Sequence, residues 1–246
     1  MSEVKGIVLA GGMGTRLHPL TMVTNKHLLP IGTEPMIHHP IKKLVESGVK
    51  DIMIVTGAEH SGAMMTLLGS GKRYGCTFTY KVQDEPDGIA GALKLCQGFV
   101  GDSKCIVILG DNIFKDKLCD HVESFLKSGK NCSLFLKEVS DPSRYGVAVF
   151  DDVQDKVLAE IEEKPANPKT NLACVGIYMY SSKVFDVISW IKPSSRGEYE
   201  IPSVNNVFIE DGDCDYHILK DLWVDAGTME SYHKTSWIMY GESDEK

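Results

Sequence analysis

The sequence predicts an α/β fold in which helices flank a Rossmann-like, mostly parallel central sheet. Three short, largely apolar runs indicate the sheet: GIVLA at 6–10, DIMIVT at 51–56 and KCIVIL at 104–109. An apolar run of this length is typical of a strand buried on both faces, as strands of parallel sheets are. Helix-like segments separate the runs, so the first half follows a β-α-β-α-β order.

Periodicity locates the remaining elements of the first half. Residues 35–48 place apolar side chains at helical spacing, and Gly48 is a plausible stop signal. Pro40 lies inside this segment and is expected to kink the helix. Alternation predicts a strand at 77–82, and helical spacing predicts further helices at 89–97 and 117–128.

After about residue 132 the pattern changes to strands with few helices between them. The predicted strands are 132–139, 146–151, 156–162 and 173–180, and the predicted helices lie near 183–191, 203–211 and 228–240. No Pro/Gly/Ser-rich linker separates the halves, so we expect one domain over 1–246. It would comprise a first half of about 1–130 and a mixed α+β half of about 131–240. The charged tail, 242–246, is expected to fray.

Composition limits the class of protein and its partners. The chain has 246 residues, 43% of them hydrophobic, which is enough for a sizeable core. Its formal net charge of −8 argues against a nucleic-acid partner, because phosphate backbones require a basic face. The N-terminus lacks the pattern of a signal peptide, and no apolar run approaches the roughly 18 residues of a membrane helix. We therefore expect a cytoplasmic protein without a membrane partner.

The seven cysteines are scattered along the chain and include no CxxC pair. This spacing indicates neither a zinc site nor a redox motif. Buried, reduced thiols are the expectation, which agrees with a cytoplasmic location. A histidine-based metal site is also disfavoured, because the sequence contains no HExxH motif or other i,i+4 histidine pair.

The first apolar run continues into a glycine-rich loop, GGMGTR at 11–16. Where side chains are absent, backbone N–H groups can approach a phosphate closely. The P-loop pattern GxxxxGK[ST] is missing, and the dinucleotide pattern GxGxxG fails because Leu17 occupies the third glycine position. Arg16 offers a planar cationic fork and Lys26 a point charge. The loop therefore predicts a phosphate site of another type, with a glycine turn beside two solvated cations as the alternative.

Two aspartates follow predicted strands in distant parts of the chain. Asp111 follows the run at 104–109, and Asp225 lies in WVDAGT. The carboxyl ends of parallel strands are where such sheets bind ligands, and carboxylate oxygens suit Mg²⁺. The two residues are candidates for one shared Mg²⁺ site. A helix N-cap or a solvated loop remains an alternative for each.

The loop belongs to a longer string, GGMGTRLxPLTxxxxKxLLPIxxxPMI, that resembles the signature of sugar-1-phosphate nucleotidyltransferases. The pattern is most similar to that of glucose-1-phosphate thymidylyltransferases, in a short form. Further segments resemble the family in the same order and extend the likeness over about residues 5–232: QDEPDGIA, LGDN, RYGV, EEKP, CVGIY, RGEYEI and WVDAGT. The resemblance implies the nucleotide-diphospho-sugar transferase fold, with a nucleotide-binding first half and a sugar-binding second half.

The resemblance also implies roles for individual residues. Nucleotide contacts would come from Leu9, Gly11, Gly12, Gly14, Thr15, Arg16, Gln83 and Gly88. The sugar phosphate would meet Gly146, Glu163, Lys164, Val175, Tyr178, Arg196 and Glu198. Asp111 and Asp225 would bind Mg²⁺, and the catalytic group would be Arg16, Lys26, Asp111, Lys164 and Arg196. Two positions depart from the family pattern: Met13 replaces a serine, and Gly91 replaces glutamine or a larger polar residue.

The activity implied by the resemblance is nucleotidyl transfer from a nucleoside triphosphate to a sugar 1-phosphate, with release of pyrophosphate. dTTP and glucose 1-phosphate are the favoured substrates, and a UTP-using enzyme is the nearest alternative. A non-catalytic, sugar-nucleotide-binding regulatory module is the alternative from another class. We expect a homo-oligomer, either dimer or tetramer. Longer relatives continue with C-terminal helices that form a regulatory nucleotide site, which this sequence is expected to lack.

Overall fold

A computed structural model describes residues 4–151, 153–154, 156–194 and 196–241. The strands are β1 (Lys5–Ala10), β2 (Pro30–Ile31), β3 (Glu34–Pro35), β4 (Asp51–Gly57), β5 (Thr77–Gln83), β6 (Cys105–Leu109), β7 (Asn112–Phe114), β8 (Cys132–Glu138), β9 (Gly146–Phe150), β10 (Leu158–Glu163), β11 (Leu172–Tyr180), β12 (Cys214–Ile218) and β13 (Trp223–Asp225). The helices are α1 (His38–Glu46), α2 (Ser61–Leu68), α3 (Ile89–Lys94), α4 (Gln97–Val100), α5 (Cys119–Lys127), α6 (Lys183–Trp190), α7 (Ile201–Glu210) and α8 (Met229–Gly241). The tail predicted to fray, 242–246, lies outside the described residues.

The central sheet combines a parallel part and a mixed part. Strands β6, β1, β4 and β5 lie side by side in that order, and all three pairs are parallel. The second half continues the sheet with β11 antiparallel to β6, and with β8 and β9 antiparallel to β11. The predicted α/β fold, a mostly parallel central sheet flanked by helices with a mixed half, is confirmed.

The parallel strands are buried on both faces, as their apolar sequences predict. Along β1, Ile7 packs into one core and Val8 into the other, because successive side chains point to opposite faces. Residues of α3, α6 and α7 cover the first face, and residues of α1, α2 and α5 cover the second. Because β1, β5 and β6 run in the same direction, their carboxyl ends lie along one edge of the sheet, together with the loops that follow them.

The prediction of a kink at Pro40 is wrong. Helix α1 begins at His38, so Pro40 stands in its first turn, and the helix runs on to Glu46. The N–H groups of a first turn have no acceptor within the helix, so proline removes no hydrogen bond there. The segment before the helix, Glu34–Pro35, forms strand β3 with β2 instead of a first helical turn.

A third, smaller core connects the glycine-loop region to the end of the chain. Leu17 and Ile31 pack there with Ile113 of β7, Ala226 after β13 and Tyr232 of α8. Strands β7 and β13 form an antiparallel pair beside the main sheet. This packing brings residue 225 back to the region of residue 111, although 114 positions of sequence separate them.

The cysteines largely follow the prediction of buried, reduced thiols. All seven are free, and Cys76, Cys96, Cys105 and Cys132 are buried. Burial raises the pKa of Cys96 to about 12, which keeps the thiol protonated and unreactive. Cys174 and Cys214 are half-buried, and Cys119 is exposed on α5. Among the described residues, no helix has the length and apolar character that crossing a membrane requires.

The approach of β11 to β6 predicts that Gly176→Ala destabilises the fold. An added Cβ at Gly176 would lie 2.6 Å from the Leu109 side chain and 2.8 Å from Asn112 Nδ2, so at least one of these neighbours would have to shift. Overpacking of this kind reduces the free energy of unfolding by about 1–3 kcal/mol, measurable by urea denaturation. Gly98→Ala is the control, because nothing lies within 4 Å of a Cβ added in α4. Equal stability of the two variants would contradict this packing.

Candidate active site

Three adjoining cavities form one cleft along the edge where the parallel strands end. The central cavity, of about 320 Å³, is lined by residues that include Leu9, Gly11, Gly12, Lys26, Gln83, Gly88, Asp111, Glu163, Lys164, Arg196 and Glu198. The loop cavity shares Gly11, Gly12 and Gln83 with it and adds Met13, Thr15, His18 and Asn25. The carboxylate cavity shares Asp111, Glu163 and Lys164 with it and adds Arg16, Asn112, Gly146, Val175, Tyr178, Asn205 and Asp225. The cleft therefore brings together every predicted site residue except Gly14.

Gly14 supports the glycine loop from behind. Its φ of +67° favours glycine, and an added Cβ would lie 3.0 Å from Lys26 Cβ and 3.1 Å from Thr21 Cγ2. The hydroxyl of Thr21 donates a hydrogen bond of 2.7 Å to the Gly14 carbonyl oxygen. Gly14 thus shapes the turn around the lysine, while Gly11 and Gly12 face the cleft.

Lys26 is held inside the protein at the start of a short 3-10 turn, Lys26–Leu28. Its side chain is buried, and Nζ donates a hydrogen bond to Asp111 Oδ2. Asn25 caps the turn, because its Oδ1 accepts from the backbone N–H of His27 at 2.9 Å. Burial, reinforced by the charge of Lys26, lowers the pKa of His27 to about 3, so this ring is neutral. The solvated-cation alternative is wrong for Lys26, whereas Arg16 is exposed.

The two aspartates converge as predicted. Asp111 follows β6, and Asp225 ends β13, where it pairs with Asn112 in the β7–β13 ladder. A Cβ added at Gly227 would lie 2.7 Å from Asp225 Oδ1, 3.3 Å from Asp111 Oδ2 and 3.1 Å from Arg16 Nη2. Glycine at 227 therefore leaves open the space that these three side chains border.

Neither aspartate has the alternative structural role left open by the sequence. Asp111 is buried and leads into strand β7, so it caps no helix. Helix α8 begins at Met229, and Thr228 Oγ1 accepts there from the backbone N–H of Ser231 at 3.3 Å. Asp225 lies further upstream and accepts from the N–H of Gly227 at 2.9 Å, which fixes the orientation of its carboxylate.

The surroundings of the two carboxylates shift their pKa values in opposite directions. Burial opposes the ionisation of Asp111, but the nearby Lys26 ammonium outweighs it and holds the Asp111 pKa below its usual range. For Asp225, burial and the negative charge of Asp111 raise the pKa against the opposing effect of Lys26 and Arg16. A cation between the carboxylates would relieve their repulsion.

The donor set fits Mg²⁺. This ion prefers carboxylate oxygens, usually takes one or two from the protein, and completes its shell with water and phosphate oxygens. No cluster of three or more His, Cys, Asp or Glu side chains suited to a metal occurs among the described residues. Two carboxylates beside an open space therefore fit a metal site that a phosphate ligand completes, and they fit a closed structural metal site less well.

Asn112 is a structural centre of the site for which the sequence analysis assigned no role. Its Oδ1 accepts from the backbone N–H of Gly176 at 3.0 Å and from Trp223 Nε1 at 2.8 Å. Its Nδ2 donates to Asp111 Oδ1 at 3.1 Å. One buried amide thus ties β7, β11 and β13 together and orients the Asp111 carboxylate.

A second charged cluster borders the cleft across from the glycine loop. Glu163 ends β10, and its Oε1 lies 2.9 Å from Lys164 Nζ and 3.4 Å from Arg196 Nη2. Arg196 also pairs with Glu200 at 2.8 Å and with Glu198 at 3.7 Å. The side chains of Lys164 and Arg196 are each 46% exposed, so both can rearrange. An anionic ligand here would compete with carboxylates that already hold these cations.

Besides Asn112, the wall of the carboxylate cavity contains a second buried amide, Asn205, to which the sequence assigned no role. The hydroxyl of Tyr180 donates to Asn205 Oδ1 at 2.6 Å. The Nδ2 of Asn205 has no hydrogen-bond partner in the part of the chain that the structure describes. Buried polar groups are nearly always paired, so this donor favours a polar ligand or water in the cavity beside it.

Known proteins resemble this chain along nearly its whole length. The family model described as nucleotidyl transferase matches residues 5–239. The chain belongs to the nucleotidyl transferase family. Glucose-1-phosphate thymidylyltransferase of Neisseria gonorrhoeae is 38% identical over 242 residues, 95% of this chain and 81% of the relative. The enzyme of that name from Xanthomonas campestris is 39% identical over 239 residues, 96% of this chain and 80% of the relative.

A solved structure agrees with these relatives. A Bacillus anthracis protein assigned as a glucose-1-phosphate thymidylyltransferase, crystallised with sucrose, superposes with a TM-score of 0.91 at 48% identity. The match covers 96% of this chain and 95% of that one. Membership in the nucleotidyl transferase family confirms the predicted family and the prediction of an enzyme.

The bonds of Asn112 predict that Asn112→Ala destabilises this nucleotidyl transferase. Removing the shared acceptor leaves the Gly176 N–H and the Trp223 indole N–H buried without partners. We expect the free energy of unfolding to fall by at least about 2 kcal/mol in denaturant titrations, because each stranded donor costs about 1–3 kcal/mol.

Asn131→Ala provides a matched control for that measurement. Asn131 bonds to the Asp213 carboxylate, which is only partly buried and can turn to water. This loss should stay below about 1 kcal/mol, as for a typical solvent-replaceable hydrogen bond. Equal losses for the two variants would show that Asn112 is not the shared acceptor.

Proposed function

We propose that this enzyme transfers a nucleotidyl group from a nucleoside triphosphate to a sugar 1-phosphate. The observation that carries the proposal is a single cleft that joins a glycine loop, a carboxylate pair and a second cationic cluster. A reaction between two phosphorylated substrates needs two anion sites with a charge-neutralising centre between them. dTTP and glucose 1-phosphate are the favoured substrates, supported by the names of the Neisseria and Xanthomonas relatives.

UTP is the alternative nucleotide. Uracil and thymine differ by one methyl group, and a pocket discriminates a methyl by only about 1–3 kcal/mol. No residue of the cleft is assigned to this methyl group. Both nucleotides carry a pyrimidine base, and a pyrimidine nucleoside triphosphate is the proposed donor.

In the proposed reaction, an oxygen of the sugar phosphate attacks the α-phosphorus of the triphosphate. A new P–O bond forms, the α–β phosphoanhydride bond breaks, and pyrophosphate leaves with the bonding electrons. An ionised phosphate monoester is already a nucleophile near neutral pH, so no side chain needs to act as general base. The protein contributes orientation and charge neutralisation, because the repulsion between two polyanions is the main obstacle.

The triphosphate would lie along the glycine loop. Gly11, Gly12 and Thr15 would offer backbone groups, while Arg16 and Lys26 would neutralise phosphate oxygens of the leaving group. A Cβ at Gly12 would lie 3.6 Å from Lys26 Nζ, so the bare loop and the ammonium face the same space. Lys26 would thus serve both the phosphates and Asp111.

Asp111 and Asp225 would hold Mg²⁺. The ion, when bound, supplies charge neutralisation for phosphate oxygens. The two aspartates suit this role because one is kept ionised by Lys26 and the other is fixed by the Gly227 N–H. Lys26 and Arg16 border the same space and would keep the phosphates aligned there.

The sugar phosphate would enter from the second cluster. Lys164 and Arg196 would bind its phosphate, and Glu163 and Glu198 would accept hydrogen bonds from sugar hydroxyls. Val175, Tyr178 and Gly146 would line the sugar pocket. Before binding, the carboxylates keep both cations near the cleft, and substrate phosphate would replace part of that pairing.

Release of pyrophosphate is the test of the proposed function. The purified chain would be assayed with dTTP, UTP, CTP and ATP against glucose, galactose and glucosamine 1-phosphates in the presence of Mg²⁺. We expect pyrophosphate and a nucleotide diphosphate sugar, with the highest kcat/KM for dTTP and glucose 1-phosphate. Tight binding of a nucleotide sugar without turnover of any pair would favour the regulatory module and overturn the proposal.

The carboxylate assignment predicts the behaviour of Asp111→Asn. The substitution keeps size but removes the charge that holds Mg²⁺ and Lys26. We expect kcat to fall at least about tenfold, since the loss of roughly 1.4 kcal/mol of transition-state stabilisation is sufficient for that. Asp225→Asn should raise the Mg²⁺ concentration needed for half-maximal rate. Asp120→Asn, an exposed change of the same charge on α5, is the control, and unchanged Mg²⁺-dependent turnover in Asp111→Asn would reject the assignment.

The second cluster predicts a change in KM rather than a general loss for Arg196→Lys. Lysine retains the charge but cannot form the two-pronged contact of a guanidinium with phosphate. We expect the KM for the sugar phosphate to rise about tenfold, the equivalent of one charge-assisted hydrogen bond, while the KM for the triphosphate stays within about twofold. Lys192→Met removes a nearby exposed cation as the control. Equal changes in both KM values would contradict the placement of Arg196.

We infer that the enzyme is a cytoplasmic homo-oligomer. Buried free cysteines agree with a reducing compartment, and Trp190 and Trp237 are 72% and 79% exposed. Large exposed aromatic side chains are typical of surfaces that a partner covers. Light scattering of the purified chain measures the oligomeric state directly, and a monomer at all concentrations would contradict the proposed oligomer.

A further inference from the structure

The side chain of Gln83 is held in one orientation at the junction of two cavities. Gln83 ends strand β5 and lines both the central cavity and the loop cavity. Its Nε2 donates a hydrogen bond of 2.7 Å to Asp87 Oδ1. A carboxylate oxygen accepts and does not donate, so only the NH₂ end of the carboxamide can face Asp87.

The carbonyl end of the same carboxamide faces the glycine loop. A Cβ added at Gly11 would lie 2.5 Å from Gln83 Oε1. Within the described residues, no hydrogen bond reaches this oxygen. Gln83 therefore presents an unpaired acceptor beside the glycine loop and keeps its donor turned towards Asp87.

Gly91 provides the space that Asp87 occupies. A Cβ added at Gly91 would lie 2.3 Å from Asp87 Cγ and Oδ1 and 2.4 Å from Oδ2. Gly91 is a buried residue of helix α3 without a positive φ, so its backbone does not require glycine. The backbone of Asp87 is anchored as well, because its carbonyl oxygen accepts from the Tyr199 N–H at 2.8 Å. The absence of a side chain at position 91 therefore leaves the space that the carboxylate at position 87 fills.

We propose that Asp87 is a positioning residue that sets nucleobase selectivity through Gln83. This inference rests on the proposed function and on the nucleotide contact that the resemblance implies for Gln83, taken here as a contact with the base. An acceptor at Gln83 Oε1 matches the N3–H donor of uracil or thymine. Cytosine carries a lone pair at N3, so the same acceptor opposes it. Asp87 thereby selects against cytosine, while the choice between dTTP and UTP does not depend on it.

Equilibrium binding to the full chain tests the inference without requiring turnover. The dissociation constants of dTTP, UTP and CTP are measured by calorimetry for the wild type and for Asp87→Asn. Asparagine has the same shape but can accept from Gln83 or donate to it, so the carboxamide can turn and offer its NH₂ group to cytosine N3. We expect the ratio of the CTP and dTTP dissociation constants to fall at least about fivefold, the effect of one mismatched hydrogen bond. The ratio for UTP and dTTP should not change.

Two further variants separate this effect from a general disturbance. Gly91→Ala places a methyl group against the Asp87 carboxylate and should lower the same ratio. Because both changes act through one hydrogen bond, the double variant should lose little more selectivity than either single variant. Glu85→Gln removes an equal charge from the same loop and lines none of the three cavities, so its ratio should match the wild type.

The outcomes distinguish this inference from the proposed function. Wild-type binding that does not discriminate dTTP from CTP overturns the role of Asp87, as does unchanged selectivity in folded Asp87→Asn and Gly91→Ala. Absence of pyrophosphate release overturns the proposed function alone, because the binding ratios are measured independently of it. A lower ratio in both variants, with the Glu85→Gln ratio unchanged, supports Asp87 as the positioning residue.

Discussion

The buried ion pair between Lys26 and Asp111 is the interaction on which the cleft depends. The lysine comes from the loop after β1 and the aspartate from the end of β6, and these strands are neighbours in the parallel part of the sheet. Removing two charges from water costs several kcal/mol per ion, so such a pair persists only where further hydrogen bonds support it. Here Asn112 donates to the carboxylate, and Asn25 shapes the turn that carries the lysine. The glycine loop is thereby fixed against the sheet before any ligand arrives.

This pair also explains the distribution of charge along the cleft. Asp111 is kept ionised by Lys26, whereas Asp225 carries the repulsion of Asp111 and remains the less easily ionised partner. Farther along, Lys164 and Arg196 are held by glutamates. Lys26, Lys164 and Arg196 are thus each positioned by a carboxylate. A phosphate can replace that carboxylate as the partner of the cation, and a metal ion can share it. Because these charges are already in place, little rearrangement is needed when polyanions bind. Preorganised charges of this kind are usually the largest contribution to stabilising the transition state.

Sequence patterns predicted the elements whose burial is uniform. Strands β1, β4 and β6 are apolar because both faces are covered, and the covering helices α1 and α5 show 3.6-residue periodicity. Strand β12, CDYHI, was missed because it is half-exposed and lies beside β8 only, so its sequence lacks an apolar signal. The prediction of a kink at Pro40 was wrong because it placed the start of the helix too early. Proline breaks a helix in its interior but is tolerated in its first turn.

The site could be predicted in outline but not in its contacts. Charged residues near glycines and strand ends indicate phosphate chemistry, and the resemblance assigns them to one site. Sequence spacing cannot show that Lys26 is buried, because its partner is 85 positions away in sequence. It likewise gives no sign that Asn205 has an unpaired amide, since its partner Tyr180 lies on another element. Such properties arise from tertiary packing and become visible only when the strands are assembled.

The two departures from the family pattern differ in physical character. Met13 is 67% exposed on the rim of the loop cavity, where a changed side chain displaces no packed neighbour. Gly91 is buried against Asp87, and in a close-packed interior a missing side chain has to be compensated by another group. The carboxylate of Asp87 fills that space and at the same time fixes Gln83. Neither departure removes a charged group from the cleft, so both are compatible with an enzyme that retains its anion sites. The loss of a side chain at position 91 is therefore better understood as part of a changed set of contacts around the nucleobase than as decay of the site.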